Sequence, residues 1–79
     1  MKNLFVVTSS FRPAQKNPIN DYYTVFNSPI LFRKKDILIF LKAEKCSFTD
    51  TKVMIFYNIK LGICGGLFET NKEYVKQLE

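Results

Sequence analysis

A thiol set among glycines, in Gly62-Ile63-Cys64-Gly65-Gly66, is the one local constellation in this 79-residue chain that could carry covalent chemistry. Glycines let successive backbone N–H groups converge, and a thiolate inside such a ring is stabilised and reactive. The competing reading is a strand with an inward Cys and glycines that allow a bend. It carries more weight, because free Cys behaves most often as a small buried hydrophobe. The chain has no histidine. That removes the commonest general base, the Ser–His and Cys–His pairs and imidazole ligation together. Its seven carboxylates are scattered singly, so no pair suggests glycosidase-like or two-metal chemistry. Cys46 and Cys64 stand 18 positions apart, which is neither a disulfide framework nor a metal-ligand spacing. No phosphate-binding glycine loop or dinucleotide fingerprint occurs. The expectation is a protein that is not an enzyme, with no catalytic residue, cofactor or metal.

Charge is the second chemical signal. The net charge of +5 is carried by ten Lys and two Arg, which favours nucleic acid, an acidic protein face or a membrane surface. Lys dominance weakens the nucleic-acid case, because planar bidentate recognition of phosphate and guanine is Arg chemistry. A Lys-rich surface also keeps a small apolar protein soluble. The densest charge is Arg33-Lys34-Lys35, followed by Asp36, between the apolar runs Ile30-Leu31-Phe32 and Ile37-Leu38-Ile39-Phe40-Leu41. A nucleic-acid site would draw on Arg33, Lys34, Lys35, Lys42 and Lys45, with Tyr22 and Tyr23 among the stacking platforms.

The elements that must position these groups are short. Asn3 to Ser9 reads as a strand, Phe11 to Asp21 as a loop with Pro13 and Pro18, and Tyr22 to Phe26 as a second strand. Asn27-Ser28-Pro29 is a helix start, since Asn or Ser caps and Pro is tolerated at the first position. A helix from there to Lys45 would gather Ile30, Ile37, Leu38 and Leu41 on one face, and Phe32, Ile39 and Ala43 nearly opposite. Its basic residues would fan out around the axis, which counts against a phosphate-tracking stripe. The competing reading is a hairpin: Ile30 to Phe32, a turn at Arg33 to Asp36, then a strand from Ile37 to Leu41. That turn lacks Gly or Asn, which favours the helix. Lys52 to Ile59 alternates cleanly, with Val53, Ile55 and Tyr57 on one side and Met54, Phe56 and Asn58 on the other. Leu61 to Glu69 returns antiparallel, bent at its glycines. Asn71 to Glu79 forms a short terminal helix or a frayed tail.

The predicted fold is therefore α+β over residues 1–79 as a single small domain: β-β-α-β-β, about four antiparallel strands with one helix across a face. No apolar run approaches the roughly 18 residues of a membrane span, and the apolar start Leu4 to Val7 is too short for a signal peptide. A cytoplasmic protein is expected, with no membrane role. Abundant Phe, Ile, Lys, Asn and Tyr point to A/T-rich coding, as in many phages and mobile elements. The expected function is a small protein-interaction domain, an inhibitor that docks on and blocks a host defence or nucleic-acid-processing protein. Phe32, Ile39, Arg33 and Lys35 would meet that partner or a second copy in a homodimer. The alternative is a Lys-rich nucleic-acid-binding module using Lys34, Lys42, Lys45, Tyr22 and Tyr23.

Overall fold

Short runs of β-branched and aromatic residues become strands almost throughout the structure, a computed structural model that describes residues 3–19, 23–24, 29–45 and 50–78. In chain order these are β1 (Leu4–Val7), β2 (Gln15–Lys16), β3 (Tyr23–Thr24), β4 (Ile37–Lys45), β5 (Lys52–Asn58), β6 (Ile63–Phe68) and β7 (Val75–Gln77). A 3-10 turn, Glu69–Tyr74, precedes β7. Five strands form one antiparallel sheet in the order β6-β5-β4-β1-β7, while β2 and β3 make a separate two-stranded ribbon. A register shift between Phe40 and Lys42 marks a bulge in β4, and Leu41 there is 50% exposed.

The chain leaving β1 wraps back over one face of this sheet. Phe11 bridges to Phe32, and Ala14 bridges to Gly66 of β6, each through a reciprocal pair of backbone hydrogen bonds of 2.7–2.9 Å. Residues 11–14 thus link the segment before β4 to the edge strand β6, and one face of the sheet is covered. Val7, Phe11, Phe32, Leu38, Phe56, Leu67 and Val75 form the core there. Phe5, Phe40 and Phe56 form a triad with ring centroids 5.1–6.1 Å apart, and Phe11 meets Phe32 edge-on at 5.4 Å. Such tilted geometry sets the positive edge of one ring against the negative face of the next. Gly65 leaves the room this wrap requires. A Cβ there would collide with Pro13 and would lie 2.8 Å from Phe32 Cζ.

The expected α+β fold with a helix packed across a sheet is not what forms: the protein is mainly β, and no described helix reaches seven residues. The predicted helix from Ser28 to Lys45 is instead a turn followed by the longest strand; Ser28 itself lies outside the described residues. The competing hairpin had the turn and the strand in place but mispaired Ile30 to Phe32. That run lies across from Phe11, while Ile37 to Lys45 pairs with β1 and β5. The reason is tertiary: a strand central in a sheet is apolar on both faces, and a helix pattern cannot be told from it by periodicity. The C-terminal helix is likewise replaced by the 3-10 turn and β7, whose pairing with β1 satisfies backbone groups that a frayed tail would leave to water. The loop expected over Phe11 to Asp21 contains β2 and both bridge residues. Of the strand expected over Tyr22 to Phe26, Tyr23 and Thr24 form β3 and the rest lies outside the described residues. No helix among the described residues is long and apolar enough to cross a membrane.

Candidate functional site

Residues directly opposite one another in paired strands project to the same side. One row across the sheet is Cys64, Tyr57, Ile39 and Leu4; a second is Ile37, Val6 and Lys76. The face they share is the one turned away from the core residues Leu38, Phe5 and Phe56. At the β5–β6 side it is covered: Val53 and Ile55 are buried with Tyr23 and Phe68 packed against them. Over β1 and β4 it is not. Leu4, Val6, Ile37, Ile39 and Tyr57 are half-buried and belong to neither apolar cluster. Ile59, 51% exposed, extends this surface past the end of β5, and its N–H donates to the Ile37 carbonyl at 3.3 Å.

The basic knot stands at that same end. Asp36 donates its N–H to the Arg33 carbonyl at 3.0 Å, closing a four-residue turn with Lys35 at φ +80°. A left-handed third residue is the type II arrangement, in which Gly or Asn is usual. The turn holds without one because it is pinned from three directions. The Asp36 carboxylate accepts from the Arg33 N–H and from the Asn58 side-chain amide, both at 3.0 Å. Lys35 donates its N–H to the Val7 carbonyl at 2.7 Å, and Lys34 donates to Ser10 Oγ at 2.9 Å. Asp36 and Asn58 are buried, and Asn58 Oδ1 in turn accepts from the Leu61 N–H at 3.1 Å. One buried carboxylate and one buried amide therefore fix both the Arg33–Asp36 turn and the neighbouring Ile59–Gly62 turn. Between these turns lies a groove of about 340 Å³ lined by Lys34, Lys35, Asp36, Ile37, Ile59 and Lys60.

Of the residues expected to meet a partner, Ile39 lies on the outer face, and Arg33 and Lys35 are exposed at its basic end. Phe32 does not join them. It is fully buried, at 0% exposure, because the segment expected to carry it on a helix stripe instead lies across from Phe11 in the core. The cations expected for nucleic acid are divided. Lys34 belongs to the turn. Lys42 pairs with Glu44 at 2.6 Å and Lys45 with Asp50 at 3.0 Å, at the far end of β4. Five strand steps, from Ile37 to Lys42, carry Lys42 about 17 Å along β4 away from the turn. Tyr23 is half-buried against Val53 and Ile55, and its hydroxyl donates to Glu44 at 2.5 Å, so it is a packing residue rather than an open stacking platform. Tyr22 and Cys46 lie outside the described residues. Hydrogen bonds from Lys42 first, and then Tyr23, hold the Glu44 carboxyl below the usual carboxylate range.

Cys64 projects outward and is exposed, where an inward thiol was expected. Its carbonyl accepts from Gln15 Nε2 at 3.0 Å. The glycines beside it serve packing: Gly65 admits Pro13 and Phe32, and Gly66 pairs with Ala14. Among the described residues no three His, Cys, Asp or Glu side chains gather as a metal site. Sequence reasoning missed Leu4, Val6, Ile37 and Lys60 as surface residues. The alternation in Lys52–Ile59 did carry part of the signal, since Val53, Ile55 and Tyr57 do share the outer face. No protein-family model, curated protein or solved structure matches this chain.

Proposed function

We propose that this chain is a non-enzymatic protein-docking domain, which binds its partner through the outer face of β1, β4 and β5. The observation that carries this reading is the coincidence of two features. A half-buried apolar surface (Leu4, Val6, Ile37, Ile39, Tyr57) runs directly into four exposed cations, Arg33, Lys34, Lys35 and Lys60. Apolar centres with charged rims are what protein partners use: the centre supplies affinity and the rim supplies steering and register. With A/T-rich coding and no catalytic constellation, the fitting role is an inhibitor of mobile-element origin that masks a site on a host protein.

The test is affinity capture from the native host lysate with the wild type, Ile39→Asp and Tyr57→Asp as baits, and Thr70→Ser as control. A protein retained by the wild type and the control but lost with both outer-face variants is the expected result. Retention of the same proteins by all four baits, or of none by any, refutes the docking face. The nucleic-acid reading has narrower support, from the basic turn alone. Fluorescence anisotropy against single- and double-stranded probes at two salt concentrations measures it, and micromolar or weaker binding even at low salt excludes it.

A further inference from the structure

We infer that the groove between the Arg33–Asp36 and Ile59–Gly62 turns is a clamp for an acidic segment of a partner protein, one with an aliphatic or aromatic side chain between its carboxylates. The inference rests on the docking role proposed above and names the partner chemistry at one end of that face.

Charge complementarity is the first argument. Several cations elsewhere among the described residues have carboxylate partners: Lys16 and Lys42 reach Glu44, and Lys45 reaches Asp50. Around the groove they do not. Among the described residues no carboxylate lies within ion-pair distance of Arg33, Lys34, Lys35 or Lys60. The nearby Asp36 is buried and occupied by the Arg33 N–H and the Asn58 amide. With three lysines against one buried and hydrogen-bonded carboxylate, Asp36, the lining is net positive and focuses its field on an incoming anion.

The groove itself narrows the class of anion. Ile37 and Ile59 line it along with the lysines, and Ile59 is half exposed. An apolar lining between cations suits an acidic peptide with a greasy side chain. It suits single-stranded nucleic acid poorly, because base recognition on such surfaces needs aromatic platforms, and no aromatic side chain lines this groove. The cations are three Lys at the groove and one Arg beside it, point charges suited to single carboxylates more than to bidentate phosphate recognition.

Backbone conformation adds a third argument. Lys35 sits at φ +80°, where Gly would cost least, and a lysine kept there costs stability. The left-handed residue sets Lys35 beside Lys34 at the groove, in a turn held by Val7, Ser10, Asp36 and Asn58. The site is thus rigid before anything binds, which lowers the entropy cost of association.

Amide NMR titration of the intact protein tests the clamp, with the synthetic peptide acetyl-Glu-Asp-Leu-Phe-Asp-Glu-amide as probe. Shifts should map to residues 33–37 and 59–62. Affinity should fall at least tenfold when the probe's carboxylates are replaced by carboxamides, and likewise in Lys60→Glu and Lys35→Glu, whereas Lys42→Glu should leave it unchanged. Lys60→Gln guards against a folding defect, since it removes the charge without reversing it. Absent shifts, shifts elsewhere, or equal binding of the carboxamide peptide overturn the proposal. So does tighter occupation of the same amides by an oligo-dT strand or by phosphatidylglycerol vesicles. If the peptide fails while Ile39→Asp still abolishes partner capture, the clamp is wrong and the docking face stands. If capture is also insensitive to Ile39→Asp, both are wrong.

Discussion

Lys35 holds a left-handed backbone conformation that a side chain makes costly. Replacing it with Gly should relieve the left-handed conformation and stabilise the fold by about 1 kcal/mol, or roughly 4–8 °C in Tm for a domain of this size. Thermal unfolding of Lys35→Gly and Lys35→Ala separates backbone relief from loss of charge, because only glycine should raise the midpoint. Asp36 is the opposite case. Asp36→Ala would leave the Arg33 N–H and the buried Asn58 amide without their acceptor, at about 1–3 kcal/mol for each unsatisfied donor. Denaturant unfolding should therefore show it among the most damaging single changes outside the aromatic core. Phe32 and Ile39, which a helix would have placed on one stripe, part company in the same experiment. Phe32→Ala should cost about 3–5 kcal/mol as a cavity in the core. Ile39→Ser, on the half-buried outer face, should cost much less and act on association instead.

At the scale of elements, β5 and β6 were legible in the sequence because β-branched and aromatic residues fill Lys52–Asn58 and a turn containing Gly62 joins the two strands. β4 was not. Its run Ile37-Leu38-Ile39-Phe40-Leu41 is apolar at every position, since Leu38 and Phe40 face the core while Ile37 and Ile39 lie on the outer face, so neither a period of two nor a period of 3.6 stands out. The helix start at Asn27-Ser28-Pro29 tipped the balance the wrong way, and the lack of glycine at the turn reinforced it. What replaced glycine was a tertiary device, the Asp36–Asn58 bond across 22 residues, which no local pattern announces. The basic turn as a site residue cluster was legible from charge density alone, but its companion Lys60 was not, because only the pairing of β4 with β5 brings the two turns together. Gly65 tests the same tertiary logic. Gly65→Ala should cost about 1–3 kcal/mol through overpacking against Pro13 and Phe32, whereas a glycine kept merely for bending would tolerate the methyl group. Urea titration measures the difference.

For the whole molecule, the charge distribution is polarised by internal pairing. At the Glu44 end Lys16, Lys42 and Lys45 have carboxylate partners, whereas the Arg33–Lys60 end keeps its field. This gives the two ends different responses to conditions. Glu44 has a carboxyl pKa below its ordinary value of 4.5. On acidification the unfolded chain takes up its proton first, so the stability Glu44 contributes is present above that value and is lost as pH falls through the lowered native pKa. Glu44→Gln should accordingly flatten part of the acid limb of stability below about pH 4.5, with little change in slope at neutral pH. Equilibrium unfolding at a series of pH values checks this. Salt should act mainly at the other end, slowing association with an acidic partner rather than speeding its release.

The pairing of β1 with β7 also bears on how the chain reaches its native state. Leu4 accepts a hydrogen bond from the N–H of Leu78, and Thr8 donates to Tyr74, so β1 waits for β7, about 70 residues later in the sequence, before its outer edge is satisfied. Among the described residues, β5 and β6 are joined by the tight turn at Ile59–Gly62. Kinetics should then be those of a non-local β topology, in the range of milliseconds to seconds, with high φ-values around Ile59–Gly62 and low ones in β7. On that schedule the basic turn and the groove beside it are assembled in two stages, the Lys60 wall first and the Arg33–Asp36 wall only when β1 and β4 dock.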